Sequence, residues 1–356
     1  MNKKKYIKIP YLLSVLILFS FFVRLISTQF LSDTYIENEW QVLLENLINY
    51  KTYSFYKFGD QLVPSAYMPP MYVFFLYIIK IVTSFEQAKL LNTIIFIQII
   101  MSVYCVYIFY QINKNFFTEG LSIINSFVFS LIPLNIYYCG QISSINLQII
   151  LSLLFLKILL LLIKEINLKN IILFSVTSSF LILTRGEFIL IFLLCLCYII
   201  FFKKIKITDS IKIVIIVLLI ISPYVIRNYI QFNQFFIVKS LGYNLWKGNN
   251  QLSVAEGYEN LNDDKFKKLH DKIKNVEKNK TYEVNRDQIF LNEALNNLSE
   301  EKLKYTKLFF KKIISFYFID FNSSYPNYYN IFHFIPILLV SLLSFPGLLV
   351  FFNDKE

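Results

Sequence analysis

Residues 11–34 read YLLSVLILFSFFVRLISTQFLSDT, and the fold turns on how this stretch is taken. From Tyr11 to Ile26 it is apolar except for Arg24 near its far end. It follows Lys3, Lys4, Lys5 and Lys8 and gives way to the polar triplet Ser32-Asp33-Thr34. A lysine-flanked apolar run could be a secretory signal. This one is long, closes on no A-x-A-like site and is followed by further apolar runs, so it reads as an uncleaved first helix with a cytoplasmic N-terminus. Composition agrees. Hydrophobic residues are 56% of the 356, charged residues 17%, and mean hydropathy is +0.52, which excludes an ordinary soluble domain. Gly 8 and Pro 9 exclude collagen-like and low-complexity chains, and the apolar runs exclude intrinsic disorder. The net charge of +11 lies largely in lysine tracts beside apolar segments, where membrane orientation explains it. Nucleic acid is therefore not an expected partner.

Working outward, further spans are expected over 90–110, 121–138, 146–163, 168–183, 188–202, 211–226 and 332–352, giving an all-α bundle of about eight spans. Lys164, Lys169, Lys203, Lys204 and Lys206 mark cytoplasmic connections. Parity then places Asp33, the Cys139–Ser144 turn, Arg185 and the stretch from Arg227 to the last span on the outer face. This works if Met71–Val82 does not cross. Such a segment would extend only ~18 Å as a helix against a ~30 Å apolar core, so it reads as re-entrant or interfacial. The expected organisation is a membrane core over 1–248 with an outer loop at 31–68, an outer amphipathic-helix insertion over 249–330, and a final span with a cytoplasmic tail over 331–356. In the insertion, Ile289, Leu291, Ala294, Leu295 and Leu298 share one side of a helix, and Ser299-Glu300-Glu301 is expected to open a second, lysine-rich one.

The chemistry-bearing residues cluster at the expected outer face. Asp33 stands at the end of the first span, directly before a helix over Glu37–Tyr50 whose Trp40, Leu43, Leu44, Leu47 and Ile48 face the membrane, with Asn38, Gln41, Glu45 and Asn49 turned away. A carboxylate there suits a base; Asp33 or Thr34 would equally suit a helix cap. Glu37 and Glu39 are alternative carboxylates, ~200° apart on a helix and so not both directed into one pocket. Tyr67-Met68-Pro69-Pro70 makes a rigid lead-in to the re-entrant segment. Arg185 and Arg227 oppose the positive-inside bias and call for an anion such as phosphate, or else pair with Glu187 or with lipid head groups. Lys239 is a weaker phosphate candidate. Leu245-Trp246-Lys247-Gly248-Asn249-Asn250 reads as a tight turn presenting the Trp246 indole and the Asn249 and Asn250 amides, a set suited to sugar or to turn chemistry alone.

The four cysteines, Cys105, Cys139, Cys195 and Cys197, form no C-x-x-C pair and read as packing residues. With only His270 and His333, no His-based metal centre or Ser-His triad is supported. No cofactor is firmly implied, and a divalent metal has no ligand set behind it.

In this order, Asp33, the Glu39-Trp40 to Asn46-Leu47 helix, Pro69-Pro70, Leu183-Thr184-Arg185, Pro223 to Tyr229 and Asn244 to Asn250 resemble the GT-C-fold integral-membrane glycosyltransferases. The family concerned groups dolichyl-phosphate-mannose protein mannosyltransferases with lipid A aminoarabinose transferases. A charged helix from Arg286-Asp287 to Lys311 is also similar. The resemblance implies a sugar moved from a polyprenyl-phosphate donor to a lipid, glycan or protein acceptor at the outer face of a bacterial inner membrane, with Asp33 as the catalytic carboxylate. It departs at the Gln141-Ile142-Ser143 turn, where relatives often carry Glu, and in having one span after the insertion. A carrier or flippase would need polar groups spread through the spans, and an inactive scaffold subunit of a glycan-assembly complex is the other alternative.

Overall fold

The computed structural model describes residues 4–36, 38–203, 205–324 and 328–353. They form two compact units, Met1–Ile237 and Val238–Glu356.

The first unit is built on α4 (Gln87–Asn113), against which α1 (Lys4–Leu31), α3 (Pro70–Thr83), α5 (Glu119–Leu131) and α7 (Ile145–Lys164) pack. The set is completed by α2 (Asn38–Tyr50), α6 (Pro133–Tyr137), α8 (Leu168–Thr184), α9 (Phe188–Phe201) and α10 (Ile207–Phe232). Among the described residues, four helices are long and apolar enough to cross a membrane: Tyr11–Leu31, Gln87–Asn113, Ile145–Lys164 and Ile207–Phe232. The span expected over 121–138 is a pair of helices meeting at 64°, a fifth crossing if the pair counts as one. At 17 and 14 residues, α8 and α9 are apolar but shorter. The all-α membrane class holds.

Sequence explains the breaks. Pro133 has no N–H for the Phe129 carbonyl, which takes the Ile132 N–H and the Asn135 amide instead, each at 3.4 Å. Arg24, fully buried in α1, braces this bend: its Nη1 donates to the Ser130 carbonyl at 3.3 Å and to Ser20 Oγ at 2.6 Å, and its Nε to Ser102 Oγ at 2.7 Å. In α10, Pro223 withdraws the N–H that the Leu219 carbonyl would accept, and the Ser222 hydroxyl donates there at 3.0 Å. The helix therefore continues to Arg227.

The stretch between α2 and α3 holds a short hairpin that the all-α expectation did not contain, β1 (Ser54–Phe58) antiparallel to β2 (Gln61–Pro64). Gly59, at φ +60°, opens its two-residue loop, the II′ arrangement that suits strand twist. The apolar face of α2 is covered by protein rather than lying bare on a membrane: Leu43 packs with Tyr53 and Val73, and the Trp40 and Tyr72 rings meet edge-on at 5.0 Å. Over 14 residues, α3 rises about 21 Å, too short for the apolar core, consistent with the re-entrant expectation.

The second unit contains α11 (Leu241–Gly248), α12 (Lys267–Lys274), α13 (Tyr282–Glu300), α14 (Lys302–Tyr317) and α15 (Ile331–Asn353), the last with Pro336 and Pro346 inside it. Its core is Trp246, Phe266, Leu269, Ile273, Phe290 and Ala294. The units divide at Ile237–Val238 rather than after Gly248, because α11 packs on α13. Gly242 permits that packing, since a Cβ there would lie 2.0 Å from the Asp287 carbonyl oxygen. Ser299 and Glu300 close α13 instead of opening α14, whose first residue is Lys302.

Candidate active site around Asp33

Asp33 follows the last turn of α1 and is tied to a turn more than a hundred residues away. Its N–H donates to the Gly140 carbonyl at 3.1 Å, and its Oδ2 accepts the Ile142 N–H at 2.6 Å. Gln141 Nε2 completes the clasp by donating to the Leu31 carbonyl at 2.7 Å. The approach is close: a Cβ on Gly140 would lie 3.0 Å from Ser32 Cα and 3.3 Å from Thr28 Cγ2, so its neighbours would have to give by a few tenths of an ångström. The described hydrogen bond of the Asp33 side chain therefore runs to Ile142, not to the first turn of α2.

The turn is held from behind by Gln98, fully buried in α4. Its Nε2 donates to the carbonyls of Cys139 at 3.1 Å and Gln141 at 2.9 Å, while its Oε1 accepts the Tyr72 hydroxyl at 3.0 Å. Asn146 Nδ2 donates to the Gln98 carbonyl at 3.2 Å. Burial, and secondarily the negative charge of Asp33, push the Tyr72 phenol well above its usual range, so it stays protonated as a donor to Gln98. Asp33, the Gln141 turn, Gln98 and Tyr72 thus form one network across α1, α3, α4 and the turn before α7. Neither Gln98 nor Tyr72 stands out in the sequence, although a Gln inside an apolar span is itself a signal.

Two cavities flank α3. One, of about 430 Å³, lies between α2, the end of α3 and the start of α4; Thr34, next to Asp33, is in its wall. The other, of about 450 Å³, lies between the hairpin region, α3 and α10, and contains Arg227. Lys51, also unanticipated, joins Arg227 there, and the lining includes no acidic side chain. It sits just past α2 at φ +55°. Asp33 is in the lining of neither cavity.

Arg227 has a second engagement. Its Nη1 donates to the Ser65 carbonyl at 2.7 Å and Asn228 Oδ1 at 2.8 Å, and its Nη2 to the Tyr53 carbonyl at 3.0 Å. Its guanidinium carbon lies 5.6 Å from the Tyr53 ring centroid. The guanidinium holds both ends of the hairpin against α10. Arg185 lies 3.7 Å from Glu187, the pairing that its sequence context allowed. Glu39 is in the first turn of α2, half-buried; Glu37 lies outside the described residues.

Lys239, Trp246, Asn249 and Asn250 belong to the second unit. Lys239 is half-buried. The expected tight turn is instead the last turn of α11, and the Trp246 indole is fully buried against Phe266 and Phe290. Asn249 Nδ2 donates to the Leu245 carbonyl at 2.9 Å, and Asn250, fully buried, donates to the Tyr258 carbonyl at 2.7 Å. In this arrangement the indole fills a core and both amides close main-chain turns. Nearby, a hydrogen bond from Lys247 holds the Glu259 carboxyl below its usual range.

No protein-family model matches the chain, and no curated protein matches it. Among solved structures, the Archaeoglobus fulgidus oligosaccharyltransferase tethered by a disulfide to an acceptor peptide containing the NVT sequon aligns with a TM-score of 0.49 and 12% identity. The alignment covers 98% of this chain and 38% of that one, so the chain spans well under half the length of that enzyme. The helices themselves define the class: an integral membrane protein of the all-α type.

Proposed function

We propose that the protein is a membrane glycosyltransferase that takes a sugar from a polyprenyl-phosphate donor, with Asp33 as the general base. The observation that carries this reading is the fixed carboxylate: Asp33 is half-buried at the end of the first span, with one oxygen held by the Ile142 N–H at 2.6 Å. A preorganised carboxylate at that level suits proton removal from an acceptor hydroxyl. In the step, the acceptor oxygen forms a bond to the sugar's anomeric carbon and the bond from that carbon to the phosphate oxygen breaks. The acceptor proton passes to Asp33, and the electron pair leaves on polyprenyl phosphate. The phosphate is assigned to the cavity of Lys51 and Arg227, where two cations face an apolar wall of Phe74, Leu183 and Ile220. Active-site placement on the outer face of a bacterial inner membrane, with the N-terminus cytoplasmic, belongs to the same proposal.

The test is transfer of label from polyprenyl-phosphate sugars to any acceptor in membranes containing the protein. Asp33→Asn should lower transfer about 10²–10⁴-fold while leaving abundance and donor retention unchanged. Undiminished product from that variant would remove Asp33 from the chemistry.

A further inference from the structure

The polar face of α2, which the sequence turns outward, lines the cavity of about 430 Å³ beside Asp33. Gln41, Glu45 and Asn49 line it from α2, Lys80 from α3 and Gln87 from α4, together with Thr34, the neighbour of Asp33. Leu44, Ile48 and Leu90 add apolar lining. The charges are balanced and partly spent: Gln41 Nε2 donates to Glu45 Oε1 at 2.8 Å, and the Lys80 ammonium donates to the Phe85 carbonyl.

These two cavities differ in what they can hold. An anionic phosphate favours the one with Lys51 and Arg227 and no acidic lining. The one beside Asp33 has a single cation, a carboxylate and three amides. Each amide both donates and accepts, as does each hydroxyl of a sugar, so amides pair with vicinal hydroxyls where a phosphate would meet the Glu45 charge. Apolar lining suits the C–H face of a pyranose, and the volume falls within the range of about 300–1,000 Å³ typical of small-molecule sites.

We propose that this cavity binds a neutral saccharide. On the transferase reading of Asp33, on which this further step rests, the saccharide is the acceptor and presents its hydroxyl past Thr34. Among lipid, glycan and protein acceptors, the structure thereby assigns a glycan.

The direct test is saturation-transfer NMR on the full-length protein in lipid nanodiscs, with the methyl glycosides of glucose, galactose, mannose and N-acetylglucosamine, each with and without inorganic phosphate. At least one glycoside should give a saturable signal that phosphate does not displace. A Gln41→Leu/Asn49→Leu pair should weaken it ten-fold or more, and Gln87→Ala, on a different helix, should weaken it independently. Asp33→Asn should leave binding in place, since Asp33 is not in the lining. The proposal is overturned if no glycoside saturates, if phosphate displaces it, or if the α2 pair and the Gln87 variant both bind as well as the parent. Binding that behaves as expected in a protein that transfers no label from polyprenyl-phosphate sugars would sink the catalytic reading and leave the saccharide site standing. Transfer with an acceptor KM unchanged in the α2 pair would do the reverse.

Discussion

Gln98 is the residue on which the geometry of Asp33 depends most. Its amide spends both hydrogens on the Cys139 and Gln141 carbonyls and its oxygen on Tyr72. Gln98→Leu removes all three partners at once and strands two buried carbonyls and a phenol, at about 1–3 kcal/mol per orphaned group. Tyr72→Phe takes away one hydroxyl and leaves the Gln98 bonds to the turn, for about 0.5–1.5 kcal/mol. We expect a far larger fall in thermal midpoint for Gln98→Leu, with transfer lost, and a small fall for Tyr72→Phe, with transfer largely kept. Equal effects in a melting assay would show that the turn is held by something else. Asp33 draws attention in the sequence because it ends an apolar run at a sharp polar boundary. Gln98 and Tyr72 do not, because a single amide or phenol in an apolar run gains meaning only from partners 26 to 43 residues away. Trp246 shows the opposite failure. Lys-Gly-Asn-Asn has turn composition, but Gly248 and Asn249 end a helix here, and the indole one turn earlier faces the core.

At the scale of elements, the hairpin and the bent α5–α6 pair each depend on one arginine from another helix. Arg227 bonds to the main chain at Tyr53 and Ser65, either side of the hairpin, so its loss and the loss of Lys51 should differ in kind. Arg227→Ala should loosen the hairpin and expose the Gly59–Asp60 loop to limited proteolysis as well as weakening donor retention. Lys51→Ala should weaken retention alone, by roughly ten-fold for one charge-assisted contact of about 1.5 kcal/mol. If proteolysis of the Arg227 variant matches the parent, the clamp is not what orders the loop. Arg24 is the counterpart inside the bundle. Arg24→Leu leaves the Ser130 carbonyl, freed by the Pro133 break, without its donor, and should lower stability by about 1–3 kcal/mol, read as a shift in thermal midpoint. A neutral Leu variant would mean that the bend satisfies its own carbonyls. The α2 periodicity gave its span within a residue, while the hairpin was hidden: Gly59-Asp60 is a hairpin signal, but five- and four-residue strands leave little alternation to read.

For the molecule as a whole, the question is which side of the membrane each loop occupies, and the helix lengths turn this into a parity problem. Gln61, at the hairpin, and Asn262, in the second unit, are both exposed. Between them lie α4, α7 and α10, each long enough to cross, together with α3, the bent α5–α6 pair, α8 and α9. Whether α8 and α9 both cross or together form a re-entrant pair, they change the count by an even number and cannot alter the outcome. The answer rests on α3 and on the bent pair. At about 21 Å, α3 is too short to cross a ~30 Å core. The bent pair counts as one crossing if its 64° bend lies within the bilayer. The total is then even, and the expected outcome is that Gln61 and Asn262 are labelled from the same side, opposite the Lys203 and Lys206 connection. Single cysteines at the two positions, in a chain whose native cysteines are replaced by alanine, should both react with an impermeant maleimide in intact cells. A third cysteine at Lys203 should react only after permeabilisation. Labelling of one outer position without the other would mean that α3 crosses or that the bent pair returns to its own side. A cysteine at Asn115, just past α4, separates these: it should be protected if the pair crosses once, and a pair that returns would put Asn115 and Gly140 on one face.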